Sequence, residues 1–214
     1  MTIPENWADM FDWENVYSDV STIETRMATR GDALVAKELH AADASEQAVL
    51  GTPHHAIRRV VRDWLTMHRD FPVEYVLTVA ELLWATNVRE NRLAAIALIH
   101  RNQAARDVVE FKSWEKWARE TDSTEVADYL AGMMGRLLEI NPRLHAAVRG
   151  WMNSEYTLQR RLAVMTLLVA SRDPNWEPGL AQLVERLESD DDPVVRPAVR
   201  LAQEKLAKAK ARRG

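Results

Sequence analysis

Five arginines carry the clearest chemistry in this chain: Arg92, Arg160, Arg161, Arg196 and Arg200. Each falls near the start of a helical segment, just before or within an apolar run. A guanidinium is always charged and presents a planar fork of N–H donors that matches phosphate. A helix N-terminus adds outward-facing backbone N–H groups and the positive end of the helix dipole. Arginines at helix starts, repeated along a chain, therefore point to a polyanion such as a nucleic-acid backbone. The competing use is a ladder of ion pairs with acids of neighbouring helices. Other chemistries find less support. The chain has no cysteine, which removes disulfides, thiolate metal ligands and a thiol nucleophile. His54 and His55 are adjacent, so they point in different directions on a helix, and neither has a carboxylate four residues on. No metal site and no cofactor are expected.

The elements that must position these arginines are helices. Gly and Pro number only 7 and 8 in 214 residues, and no long run alternates apolar with polar side chains. Two short helices are expected over 19–30 and 32–40, broken at Gly31. Residues 1–17 read as an irregular cap that packs Trp7, Phe11 and Trp13. Gly51-Thr52-Pro53 is a break, with Thr52 or His54 as the cap of the next helix. That helix, 57–67, places Ile57, Val60, Val61, Trp64 and Leu65 on one face and leaves Arg58, Arg59 and Arg62 largely outside it. Pro72 opens a helix to Trp84, and 91–102 forms another with Leu93, Ile96, Ala97 and Ile99 inward. One helix is expected over 107–119, carrying Val108, Phe111, Trp114 and Trp117. Asp122-Ser123-Thr124-Glu125 caps the next, to Ile140. Pro142 starts a helix that ends at Trp151-Met152. After a polar bend comes a helix to Ser171, then segments 178–188 and 193–208 separated by the acidic loop 189–192.

A repeat runs through this list. Trp84, a bend and Arg92-Leu93-Ala94-Ala95-Ile96 resemble Trp151, a bend and Arg161-Leu162-Ala163-Val164. Leu187, a bend and Arg196-Pro197-Ala198-Val199 resemble both. The spacing gives a unit of about 34 residues, two antiparallel helices long. The expected fold is therefore all-α: an α-solenoid of HEAT-like helix pairs whose second helices line a concave groove. Residues 1–50 read as an acidic helical cap, and 51–210 as one continuous repeat domain with a basic tail.

Charge supports that division. The net charge of −4 hides ten acidic and three basic side chains in residues 1–50, against 25 basic and 22 acidic ones beyond. Such a body can hold a polyanion if its arginines share a face. No apolar run approaches the roughly 18 residues a membrane span needs. The opening MTIPENWADMFDW suits neither a signal nor a transit peptide, so a cytoplasmic monomer is the expectation.

Three stretches resemble the DNA alkylation repair family of helical-repeat alkylpurine DNA glycosylases. Gly51-Thr52-Pro53 with Ile57-Arg58-Arg59-Val60-Val61 is similar to its Gly/Pro turn and arginine-rich helix. Glu81-Leu82-Leu83-Trp84 followed by Glu90 to Ile99 is similar to its Glu-Leu-Trp segment and following Ala-rich helix. Trp151 to Leu168 is similar to its Trp-Ile-x-Ser-Asp-Asn block. The resemblance covers about residues 50–205. It implies HEAT-like repeats that hold alkylated duplex DNA and release N3- or N7-alkylated purines by hydrolysing the N-glycosidic bond, without flipping the base. A carboxylate then stabilises the sugar cation and orients water, and an arginine holds the adjacent phosphate. Carried over, the catalytic carboxylate falls on Asp128 and the phosphate ligand on Arg161. Arg92, Arg160, Arg196 and Arg200 widen the phosphate track. Counting back from Gly135-Arg136-Leu137-Leu138 instead puts Ala127 at the catalytic position. The family's two sugar-contacting tryptophans fall on Thr124 and Leu201. Glu125, Thr124 and Tyr156 are secondary candidates, and Tyr156 or Trp176 could replace a lost aromatic. A non-catalytic DNA- or protein-binding scaffold of the same family is the alternative.

Overall fold

The computed structural model describes residues 10–42, 45–109, 111–140 and 144–212. Among them are twelve α-helices and no β-strand, only an isolated bridge between Ala48 and Val88. The chain divides into two compact units, Met1–Lys116 and Trp117–Gly214.

The first unit contains α1 (Trp13–Ala28), α2 (Ala33–Ala42), α3 (His54–Met67), α4 (Val73–Ala85), α5 (Arg89–Arg101), α6 (Gln103–Val108) and the first part of α7 (Phe111–Glu120). Helix α1 begins earlier than its composition suggests, because the Asp12 carboxylate accepts the Glu14 amide and caps it. It packs on α3 and α4, and these pack in turn on α5. The core takes Val16, Ile23 and Met27 from α1, Ile57, Val61 and Trp64 from α3, and Leu83 and Trp84 from α4. Each such side chain removed from water contributes on the order of 1.5–3 kcal/mol. Helix α5 is buried on all sides from Arg89 to Ile99, not on one face only.

One buried carboxylate ties the segment before α3 to the start of α5. Glu90 accepts the amides of Leu50 (2.9 Å), Gly51 (3.0 Å) and Thr52 (3.3 Å), and Arg89 Nη1 donates to it at 2.8 Å. Gly51 is required there. Its φ is +72°, and a Cβ would lie 2.1 Å from the Asp32 carbonyl oxygen. The cap of α3 differs from expectation: Pro53 occupies it with no side-chain cap, and the Thr52 hydroxyl donates instead to the Met27 carbonyl. The expected single helix 107–119 is broken at Val109, whose amide closes α6 on the Ala105 carbonyl, and Val108 is exposed. Trp7 and the Asn141-Pro142 break lie outside the described residues.

The second unit holds α8 (Thr124–Ile140), α9 (Leu144–Gly150), α10 (Thr157–Ala170), α11 (Glu177–Arg186) and α12 (Val195–Ala211). Short 3-10 turns at Trp151–Asn153 and Pro174–Trp176 lead into α10 and α11. Helix α10 lies between α8 and α12. The three run in parallel: Asp128 meets Arg161, and Gly135 abuts Val169. Likewise Thr157 meets Asp192, and Leu168 meets Lys205. These separations stay near the repeat length read from the sequence. Gly135 sets how closely α8 and α10 approach, since a Cβ would lie 2.6 Å from Val169 Cβ. This is the HEAT-like helix-pair packing that the 34-residue period predicts. No described helix is long and apolar enough to cross a membrane.

Candidate nucleic-acid interface

The start of α10 brings the double arginine to the surface of the second unit. The bend before it is fixed locally. Ser154 Oγ accepts the Tyr156 amide at 3.1 Å and donates to Gln159 Oε1 at 2.5 Å. Tyr156 takes the cap position in an extended conformation and is 52% exposed.

Arg161 turns toward α8. Its Nε and Nη2 donate to the two carboxylate oxygens of Asp128, at 2.8 and 2.7 Å. Its Nη1 donates to the Val194 carbonyl at the cap of α12, at 2.7 Å. Three of the five guanidinium N–H groups are used, so two remain for another acceptor. The Arg161 side chain is 11% exposed and that of Asp128 33%. One guanidinium thus clamps three successive parallel helices. Charge-assisted bidentate bonds of this kind are short and directional. In the same turn of α8, Ala127 is fully buried, so its neighbour Asp128 is the residue whose side chain reaches the surface.

Arg160 faces the other way. Its Nε donates to Asp190 at 2.7 Å, its Nη1 donates to the Ser154 carbonyl at 2.9 Å, and Asp192 lies 3.9 Å from its Nη2. Asp192 also accepts the Thr157 hydroxyl and the Val194 amide. Burial pushes the Asp192 carboxyl up, but the Val194 amide, the Thr157 hydroxyl and Arg160 outweigh it and hold it below the usual range. The acidic loop 189–192 therefore gains a purpose that its composition did not reveal. Its signal in the sequence was the spacing of about one repeat from the double arginine.

The remaining candidates divide. Arg196 and Arg200 are exposed on α12. Thr124 and Glu125 are half-buried at the start of α8. Leu201 is 47% exposed on α12. Trp176 is half-buried with its ring edge-on to His145, 5.1 Å away. Arg92 belongs to the first unit and is only 7% exposed. Its guanidinium lies 4.8 Å from the Trp84 ring centroid, and its Nε donates to the Trp84 carbonyl. The total burial of α5 explains this: a helix covered on every side offers no solvent face, and a cation–π contact gives the charge a partner. The first unit instead exposes Arg58, Arg59 and Arg62 on α3, the last two beside Asp63. Among the described residues no group of three or more His, Asp or Glu side chains could hold a metal ion.

The sequence profile of the DNA alkylation repair enzyme family matches residues 23–212. The chain belongs to that family. No curated protein matches the chain individually. The match runs from Ile23, in the second half of α1, through α12. Within the matched region Asp128 and Arg161 are in direct contact. The exposed aromatic nearest the double arginine in sequence is Tyr156.

Proposed function

We propose that this protein binds alkylated duplex DNA along the α8–α10–α12 row and hydrolyses the N-glycosidic bond of N3- or N7-alkylated purines. In this reading no base is flipped. Alkylation at N3 or N7 makes the purine a cationic leaving group, so the barrier falls mainly by stabilising the sugar cation that forms as the bond breaks. Asp128 supplies that stabilisation and orients the attacking water. Arg161 holds Asp128 in place and turns its two remaining N–H groups to the adjacent phosphate. Arg196 and Arg200 extend the phosphate track, Arg160 buttresses the turn from its pair with Asp190, and Tyr156 offers an aromatic face to the sugar. Thr124 and Glu125 flank the carboxylate at the start of α8. The protein acts as a cytoplasmic monomer and needs no cofactor.

The observation that carries this reading is the bidentate contact between Asp128 and Arg161, with the carboxylate one-third exposed. A second reading, a non-catalytic family member that binds DNA or a protein, is favoured by Thr124 and Leu201 in place of aromatics and by the acids that already engage both arginines of α10. The two separate on one assay. Duplex DNA carrying N7-methylguanine is incubated with wild type and with Asp128→Asn, and free base is quantified. Release above the spontaneous rate that depends on Asp128 supports the enzyme. Release at the spontaneous rate for both leaves the second reading.

A further inference from the structure

Beyond Arg161, the contact between α10 and α12 opens into a cleft of about 640 Å³. Leu168 and Leu201 line it from the two helices, and Pro174 adds a third apolar wall. Four cations share the lining, Arg172, Lys205, Lys208 and Arg212, against the carboxylates of Glu177 and Glu204. Lys205 is drawn inward: its ammonium donates to the Leu168 carbonyl at 3.3 Å, one of the last carbonyls of α10. That contact uses one of its three N–H groups.

The electrostatics of this cleft are unbalanced. Burial disfavours the charged form of Lys205, and Arg172 repels it further, so its pKa falls below the ordinary lysine value. Glu177 opposes the shift without cancelling it. Two cations that crowd each other in a partly desolvated cleft are relieved by an anion between them. The volume is far larger than a phosphate needs and suits a small organic ligand. The leucine walls offer an apolar surface to the rest of that ligand.

We propose that the cleft is a binding site for a nucleotide unit, with its phosphate between Arg172 and Lys205 and its ring system against Leu168 and Leu201. This site lies farther along α10 than Arg161 and needs neither a damaged base nor bond cleavage. The nucleotide is either free or part of an exposed single strand, and the two sources present the same chemistry.

Full-length protein is titrated calorimetrically with thymidine monophosphate, with inorganic phosphate and with a short unmodified oligothymidylate. Arg172→Glu and Leu201→Asp are compared with wild type; both positions are exposed, and thermal unfolding verifies that each variant is folded. The monophosphate or the oligonucleotide is expected to bind at least about tenfold more tightly than inorganic phosphate. Each substitution weakens that binding about tenfold or more, and Asp128→Asn leaves it unchanged. Binding of the monophosphate identifies a free-nucleotide site, and binding of the oligonucleotide alone identifies a strand site. The proposal is overturned if neither probe binds, if inorganic phosphate binds as tightly, or if both folded variants bind like wild type. Loss of base release from alkylated duplex would not affect it, and Arg172→Glu, which lies outside the proposed duplex site, should lose nucleotide binding while keeping base release.

Discussion

The Arg161 guanidinium holds both carboxylate oxygens of Asp128 across 33 residues of chain, and the same side chain holds the Val194 carbonyl a further 33 residues on. A single side chain thus registers three consecutive repeats. Its removal should be felt in stability as well as in chemistry. Asp128→Asn and Arg161→Gln should each lower the unfolding free energy by about 1–3 kcal/mol, the range for a lost charge-assisted bond. A double-mutant cycle in urea should give a coupling above about 0.5 kcal/mol, because the two side chains share one interaction. Additive losses would mean that the pair does not stabilise the α8–α10 contact.

Acid should loosen the α10–α12 contact through Asp192. Its folded pKa lies below the ordinary aspartate value, with burial opposing and the Val194 amide, the Thr157 hydroxyl and Arg160 prevailing. A depressed carboxylate contributes stability that is fully present above the unfolded pKa and is lost as pH falls through the folded one. Asp192→Asn should therefore flatten the acid limb of the unfolding free energy below about pH 4 while leaving its shape near neutrality unchanged. An acid limb identical to wild type would remove Asp192 from the account.

The helices were legible from their punctuation and the site was legible only in part. Pro53, Pro72 and Asp122-Ser123 mark helix starts because their backbone chemistry is local, and the 34-residue period follows from repeated Arg-x-Ala segments. The break at Val109 has neither glycine nor proline, so nothing local announced it. Arg92 reads like Arg196 in sequence, yet the first is stacked on Trp84 and the second is exposed. Periodicity could not separate them, since total burial of α5 depends on neighbours from α3 and α4. The partners of the double arginine lie about one repeat away in the acidic loop and on α8. Only the parallel stacking of α8, α10 and α12 brings them together.

The Glu90 cradle should be among the most sensitive points of the first unit. Its carboxylate satisfies three consecutive amides and a buried guanidinium. Glu90→Gln leaves an amide N–H₂ facing donors and removes the buried carboxylate charge that Arg89 contacts. A loss of about 3–5 kcal/mol is expected by urea denaturation, the range for breaking one partner of a buried pair. Gly51→Ala should also destabilise by at least about 1 kcal/mol, from strain at positive φ together with the clash on Asp32. A near-neutral Glu90→Gln would show that water satisfies these amides equally well.

The exposed arginines of α12 should act on affinity alone. Arg196→Glu and Arg200→Glu should weaken binding to duplex DNA of any sequence. Each should also lower the slope of log affinity against log salt by roughly 0.9, the value for one lost phosphate contact. Fluorescence anisotropy over a salt series reads both effects. A slope unchanged in the double variant would take α12 out of the phosphate track.

The most direct test of the central claim is a single-turnover measurement of N7-methylguanine release, with protein in excess over duplex. Wild type should release the base faster than the spontaneous reaction. Asp128→Asn should lose about 10²-fold or more of that enhancement at saturating protein, the scale for removing one electrostatic stabiliser of a transition state. Arg161→Lys should instead weaken saturation through the phosphate contact. Equal release by wild type and a folded Asp128→Asn would contradict the assignment of the chemistry to Asp128, and release at the spontaneous rate by both would contradict the glycosylase itself.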